Sequence, residues 1–335
     1  MANMQRTNVE LDRLALQHSF DAKKFFIRWE SLLVVILIGI LVLNVVVSNG
    51  NFLGSQFFSA ANGFMDKSFI VLSMAFVLIT GEIDISVGST VALSAVLMAI
   101  SYNAGLPMAL AIALCILVGA GCGAINGLIF VKFRELPTMI ITLATMIIYR
   151  GVATIILEDR ASGGFPDWFA EISWGSLGPV PYSVIVFALL ATLFAVVLHK
   201  TAFGRELFAI GNNKLAAQFS RIKVNRDLFV AFLLNGLMAG VCALFLTSRM
   251  TSTRPNIADG YELEAIAIVV LAGIPTTGGK GNMTGVILAV FIIGFLRNGL
   301  GMFNVTSPVM SVIIGLLLIG TVLISNFFIN KEKKL

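Results

Sequence analysis

The residues of this chain best suited to chemistry lie together in Gly81-Glu82-Ile83-Asp84-Ile85-Ser86-Val87-Gly88-Ser89-Thr90. Two carboxylates and the hydroxyls of Ser86 and Ser89 fall within ten residues, between the apolar runs Ile70 to Thr80 and Val91 to Ile100. A carboxylate at the centre of a membrane helix costs about 2.5–3.5 kcal/mol on insertion scales. Such a stretch therefore either breaks out of the bilayer or performs a function within it. In the first reading the glycines allow a sharp change of direction, and Asp84, Ser86 and Ser89 cap a helix restarting at Val87. In the second, Glu82 and Asp84 titrate or bind a cation. Counting spans puts both acids near the inner end of a short second helix, where charge costs less. The expectation is a structural or gating motif of Gly81, Glu82, Asp84, Ser86, Gly88 and Ser89, with the ion site as the alternative.

Other polar residues interrupt apolar runs. Arg150 and Arg297 each have two open roles: snorkelling to the outer interface, or recognising hydroxyls and carbonyls along a substrate path. Asn126, Thr138, Thr142, Thr145 and Asn235 either line a polar cavity or bridge helices. Gly123 and Gly127, Ala120-Gly121, and Gly236 with Gly240 are expected at close helix contacts. Catalytic arrangements do not emerge. The nearest match to a phosphate-binding loop, Gly273 to Gly281, has its lysine one place late and no Ser or Thr after it, and reads as a glycine-rich turn. His18 and His199 are the only histidines, and no nucleophile has a base and an orienting partner. Cys115, Cys122 and Cys242 sit in apolar runs without metal-ligand spacing. The expectation is no enzyme, no metal and no cofactor of its own.

The elements that must position these residues are membrane helices. The chain has 335 residues, 58% hydrophobic and 12% charged, with a mean hydropathy of +0.94. A soluble domain is nearer half apolar and a quarter charged. The class is all-α and polytopic, with about ten expected spans: Ser31 to Ser48, Ser68 to Gly81, Val87 to Tyr102, Pro107 to Val131, Pro137 to Leu157, Tyr182 to Leu198, Leu228 to Ser248, Glu264 to Ile274, Met283 to Leu300 and Val305 to Phe328. The second, third and eighth are shorter than a membrane needs and suggest broken helices. Lys and Arg concentrate in the inner segments of this topology, with both termini inside. The net charge of +5 is thus a matter of topology, and a nucleic-acid partner is not expected. Residues 1–30 form a cytoplasmic lead-in, 31–328 the transmembrane domain and 329–335 a basic cytoplasmic tail. Within the domain, 158–181 is an outer loop suited to a short interfacial helix, and 200–227 an inner docking loop. Asp66, Lys67, Arg249 and Asp259 are expected outside. Gly81-Glu82-Ile83-Asp84 and Gly260-Tyr261-Glu262-Leu263-Glu264 repeat an acid, apolar, acid pattern five spans apart in opposite orientation, as a five-plus-five inverted repeat would.

Several spaced motifs resemble the permease subunits of ribose-type ABC importers, a family that also takes up xylose, galactose, rhamnose and autoinducer-2. They are Gly81 to Ser89, Asn126-Gly127, Leu143 to Met146 with Tyr149-Arg150-Gly151, Thr201 to Arg205 running to Ala209-Ile210-Gly211-Asn212, Gly260 to Ile268, and Gly278-Gly279 with Gly281. The resemblance covers about residues 65 to 325. It implies a cytoplasmic-membrane subunit that pairs with an identical or related permease, engages cytoplasmic ATPases that bind the ATP, and receives sugar from an extracytoplasmic binding protein. It further implies an ATPase-coupling element containing Gly204, Arg205, Gly211, Asn212, Ala216, Ala217 and Ser220. A substrate path would involve Asn126, Thr142, Thr145, Arg150, Asn235 and Arg297. The chain departs from the family pattern at Glu82 and Arg221, where glycine is common, and at Arg297, where an uncharged polar residue is common. An ion-coupled secondary transporter using Glu82 and Asp84 is the alternative function.

Overall fold

Prolines start much of the helical framework. A computed structural model describes residues 29–320 except 159, 307 and 318; the expected lead-in up to residue 28, the end of the tenth span and the basic tail lie outside the described residues. Four helices begin directly after Pro107, Pro137, Pro166 and Pro181. Proline presets the helical φ and carries no N–H that would go unsatisfied in the first turn. In order the helices are α1 (Trp29–Val47), α2 (Ser55–Ile79), α3 (Val87–Asn103), α4 (Met108–Lys132), α5 (Thr138–Leu157), α6 (Asp167–Trp174), α7 (Tyr182–Lys200), α8 (Ala202–Asn212), α9 (Lys214–Phe219), α10 (Val224–Met250), α11 (Tyr261–Leu271) and α12 (Met283–Met302), followed by α13 (Pro308–Leu317). Among the described residues, seven are long and apolar enough to cross a membrane: α1, α2, α4, α5, α7, α10 and α12. Length and composition alone thus support seven of the ten expected crossings. The other three fall on the shorter helices α3, α11 and α13.

Two expectations need correction. The second span is not short: α2 runs for 25 residues, because Asp66 and Lys67 find partners inside the bundle and the helix continues through them. For the same reason Asp66, Lys67 and Arg249 are not outer-loop residues. The inner docking segment 200–227, rich in helix formers at 214–220, holds α8, α9 and the first turn of α10.

Helix α2 runs through the middle, its last eleven residues from Phe69 onward having no exposed surface. Around it the outward faces of α1, α4, α5 and α7 carry exposed Val35, Leu117, Ile147, Ile155 and Leu189, a surface that suits lipid. Helices α4 and α10 cross at a glycine seam. A Cβ on Gly119 would come within 2.8 Å of the Gly240 Cα, and one on Gly123 within 2.9 Å of the Gly236 Cα. This is the close backbone approach that small residues four apart permit. Gly121 faces open space and takes no part.

Lys132, Arg134, Lys200, Arg205, Lys214, Lys223, Arg226 and Lys280 mark one end of the bundle, called the basic end below. Helix α6 and four two-residue strands mark the opposite end. Of these, β1 (Ser162–Gly163) pairs antiparallel with β4 (Ser252–Thr253), and β2 (Ser176–Leu177) with β3 (Val180–Pro181).

Two helices that start inside the bundle, α3 of 17 residues and α11 of 11, are set up in mirror fashion. Helix α2 ends at the basic end, residues 81–86 turn back into the bundle, and α3 starts part-way and leaves toward the opposite end. Helix α10 ends at the opposite end, residues 251–260 turn back, and α11 starts part-way and leaves toward the basic end. The two starts meet: a Cβ on Gly88 would collide with Glu262 Oε2 and lie 2.8 Å from the Ala258 carbonyl. This is the local arrangement an inverted repeat produces.

Candidate functional site

At the basic end, three segments converge on the foot of the first re-entrant stretch. The Gly279 N–H donates to the Ile79 carbonyl at 2.8 Å, and Asn212 Nδ2 donates to the Gly279 carbonyl at 3.2 Å. A side chain at Gly211 would collide with the Ile79 carbonyl and the Gly279 nitrogen, so glycine is required there for contact. Gly81 takes a left-handed φ of +81° to start the return, with the Thr277 carbonyl against it. The glycines of 273–281 thus serve close backbone packing. Glu82 Oε1 accepts from Lys214 Nζ at 2.9 Å, and its Oε2 from Thr138 Oγ1 at 2.8 Å. The same ammonium lies 4.7 Å from the centroid of the Phe130 ring.

Of the residues expected to couple to an ATPase, Gly204 is buried against the Leu198 carbonyl, and its N–H is capped by Thr201 Oγ1. Ala217 is buried, whereas Arg205, Asn212, Ala216 and Ser220 are exposed. Helix α9 starts on an Asn213 cap that accepts from the Ala216 N–H. It turns Leu215 and Phe219, 67% and 89% exposed, to the outside. Arg221 holds a left-handed φ of +62°. That conformation favours glycine, which accounts physically for a glycine being usual there in the resembling family.

Part-way into the bundle sits Asp84, 1% exposed. Its Oδ1 accepts from the Ser86 N–H at 2.9 Å and the Ser86 hydroxyl at 2.7 Å; its Oδ2 accepts from Asn235 Nδ2 at 3.0 Å. The bonds continue outward. Asn126 Nδ2 donates to Ser86 Oγ at 2.7 Å, Tyr149 donates to Asn126 Oδ1 at 3.1 Å, and Ser73 donates to Asn235 Oδ1 at 2.8 Å. Burying a carboxylate is costly unless it is hydrogen-bonded, and here five segments (α2, the 81–86 stretch, α4, α5 and α10) contribute to the network around it. Glu82 and Asp84, expected at one level, have different surroundings: Glu82 is bound by Lys214 and Thr138 at the basic-end junction, Asp84 by Ser86 and Asn235 inside the bundle. Ser86 does not cap α3 with its side chain; its hydroxyl is spent on Asp84. Asn126 and Asn235 are therefore bridging residues. Thr142 and Thr145 also turn inward, donating to the Thr138 carbonyl at 3.0 Å and the Thr142 carbonyl at 3.2 Å.

The second stretch is held by cations. Arg150 Nη1 donates to the carbonyls of Pro255 at 2.6 Å and Ile257 at 2.9 Å, and Nη2 pairs with Asp259 at 2.8 Å. Arg150 is thus committed to the bundle rather than snorkelling. Around it opens a cleft of about 610 Å³, lined among others by Ser89, Met146, Thr154, Asp259 and Glu262. Ser89 Oγ and Glu262 Oε2 are buried without a hydrogen-bond partner. Arg297 is neither at the interface nor in the cleft: it pairs with Glu264 at 3.0 Å, which also takes Lys67 at 2.8 Å. Next to this pair Arg249 holds Asp66 at 2.7 Å, with the Tyr261 hydroxyl 3.3 Å from the same oxygen. Ser73, Tyr149 and Lys214, and Asp66, Lys67 and Arg249 of this charge cluster, had no assigned site role in the sequence. Only the adjacent charges Asp66-Lys67 beside an apolar run offered a signal. Among the described residues no group of His, Cys, Asp and Glu is gathered as a metal site.

Comparison with known proteins finds transport permeases. The chain is 34% identical over 267 residues to the autoinducer 2 import system permease protein LsrD of Yersinia enterocolitica, covering 78% of this chain and 80% of that protein. It is 31% identical over 316 residues to the protein of the same name from Klebsiella pneumoniae subsp. pneumoniae, covering 92% and 95%. For that of Yersinia pseudotuberculosis serotype O:3 the identity is 33%, over 78% and 80%. No solved structure matches the chain. These relatives are transport permeases, not enzymes. With residues 56–322 matching its family description, the chain belongs to the family described as the permease component of the branched-chain amino acid transport system.

Proposed function

We propose that the chain is the permease subunit of an ABC importer that moves a monosaccharide or sugar-like signal, of the ribose, xylose, rhamnose or autoinducer-2 class, across the bacterial cytoplasmic membrane. The observation that carries this reading is the basic-end junction. Helix α8 is packed through Gly211 and Asn212 onto the end of α2 and the turn after α11, and the short α9 that follows it carries two outward apolar side chains, Leu215 and Phe219. Such a surface suits docking of a separate cytoplasmic ATPase, whose movement would reach the foot of the first re-entrant stretch and the turn after α11 together. The basic end is then cytoplasmic, by the bias of Lys and Arg toward that side, as are both termini.

The substrate path is assigned to the cleft beside Arg150 rather than to Asn126, Asn235 or Arg297, whose polar groups are spent on neighbouring segments, or to Thr142 and Thr145, which donate to carbonyls of their own helix. Its volume lies in the range of small-molecule sites. The unpartnered Ser89 hydroxyl and Glu262 carboxylate oxygen suit a hydroxylated, uncharged ligand. The cleft opens between the exposed apolar residues Ile147 and Ile155 of α5, where a second permease chain would cover it. An extracytoplasmic binding protein would deliver the sugar at the opposite end. Against the ion-coupled alternative, Glu82 is already paired with Lys214, and both oxygens of Asp84 already accept hydrogen bonds.

The test is co-purification. Co-expressed with ATPase subunits of a sugar importer and a partner permease, the chain is expected to retain the ATPases. The double substitution Leu215→Asp/Phe219→Asp should release them while membrane insertion persists. Retention of the ATPases by that variant would overturn the docking assignment.

A further inference from the structure

Helix α9 and the first re-entrant stretch meet in one ion pair, and we propose that Lys214 and Glu82 form the contact through which displacement of α9 reaches Asp84 and α3. The proposal rests on reading α9 as the ATPase-docking helix. Lys214 is the first residue of α9, directly before Leu215. This helix has little else to hold it: of its six residues only Ala217 is buried. On the other side, Glu82 is clamped rather than free, since its second oxygen accepts from Thr138 at the start of α5. Its side chain is 16% exposed, and among the described residues Lys214 is the cation that pairs with it. Two residues further on, Asp84 is bound to Ser86, the residue from which α3 starts, and to Asn235 in the middle of α10. A shift of α9 therefore acts on a short non-helical segment whose far end is fixed to the bundle.

The alternative, that the pair only fastens the loop, makes a different forecast. A half-exposed ion pair contributes little to stability, so removing it would leave transport nearly unchanged. A transmitting contact would instead uncouple hydrolysis from uptake and depend on opposite charge more than on which side carries which sign.

The experiment uses the permease with its ATPases in proteoliposomes, with ribose, rhamnose and autoinducer-2 as probes, and compares Glu82→Gln, Lys214→Gln, Lys214→Arg and the reversed pair Glu82→Lys/Lys214→Glu. ATP hydrolysis, uptake per ATP, and amide exchange at residues 83–86 are read together. Glu82→Gln is expected to keep the ATPases bound and hydrolysing while uptake per ATP falls about tenfold, the size of an ordinary coupling free energy. Exchange at 83–86 should rise. Lys214→Arg should transport like the parent, and the reversed pair should recover most of the loss, as a direct interaction requires. If Glu82→Gln fails to fold, Lys214→Gln, altered on its half-exposed side, carries the same test. Parent-like uptake per ATP in both single variants, or no recovery in a well-folded reversed pair, would overturn the proposal. If the parent itself neither holds ATPases nor takes up a probe, the importer reading fails, and this proposal with it.

Discussion

The two re-entrant stretches answer the same physical demand with different chemistry. Each leaves backbone and acid side chains inside an apolar bundle, where every polar group needs a partner. Around Asp84 the first stretch is held by neutral donors, Ser86, Asn235 and, behind them, Asn126, Tyr149 and Ser73, with the Lys214 ammonium reaching only Glu82 at its foot. The return after α10 is held by cations, with Arg150 on Pro255, Ile257 and Asp259, and Lys67 and Arg297 on Glu264 at the start of α11. Hydrogen bonds between amides and hydroxyls demand exact placement, whereas charge attraction falls off only slowly with distance. The first stretch is thus built as a fixed joint between α3, α4 and α10. The second tolerates sliding, whereas the first is stiff enough to pass a push at Glu82 on to α3.

The largest effect should come from breaking the fixed joint. Asp84→Ala orphans the Asn235 amide and the Ser86 donors and is expected to cost about 3–5 kcal/mol, read as a lowered unfolding midpoint of the permease in nanodiscs. A midpoint within a degree or two of the parent would deny the network its structural role. Arg150→Met should come next at about 2–4 kcal/mol, because two buried carbonyls lose a charged donor. Arg150→Lys should recover part of this, as one ammonium can serve some of the same acceptors. A smaller loss is expected for Gly88→Ala, about 1–3 kcal/mol of overpacking where the starts of α3 and α11 touch. It should be only partly relieved by Glu262→Ala, since the Ala258 carbonyl remains in the way. Smallest is Arg297→Met, about 1 kcal/mol, because Lys67 still holds Glu264; adding Lys67→Met should cost more than the sum of the two. Simple additivity there would contradict the shared-acid picture and weaken the contrast between the two stretches.

What the sequence made legible follows from locality. Apolar runs and prolines locate α4, α5 and α7 to within a residue or two, and the turn residues and tryptophans of 158–181 anticipate α6. The start of α2 was hidden because Asp66 and Lys67 look like a loop until their partners, Arg249 and Glu264, about two hundred residues away, are known. Arg150 was ambiguous for the same reason, its acceptors being carbonyls more than a hundred positions on. Glu82 and Asp84 seemed equivalent because spacing along the chain does not reveal that the segment between them turns back into the bundle. Once folded, one acid lies at the basic-end junction and the other in the middle of a five-segment network.

Coupling of this chain to ATPases would act through the basic-end junction, which joins the foot of the first stretch to the turn after α11. The most direct measurement is labelled ribose, rhamnose or autoinducer-2 uptake into proteoliposomes containing the chain, a partner permease, the ATPases and a binding protein. Enclosed ATP should drive uptake, and proton and sodium gradients should be without effect. Uptake by the chain alone, driven by an ion gradient and indifferent to ATP, would contradict it.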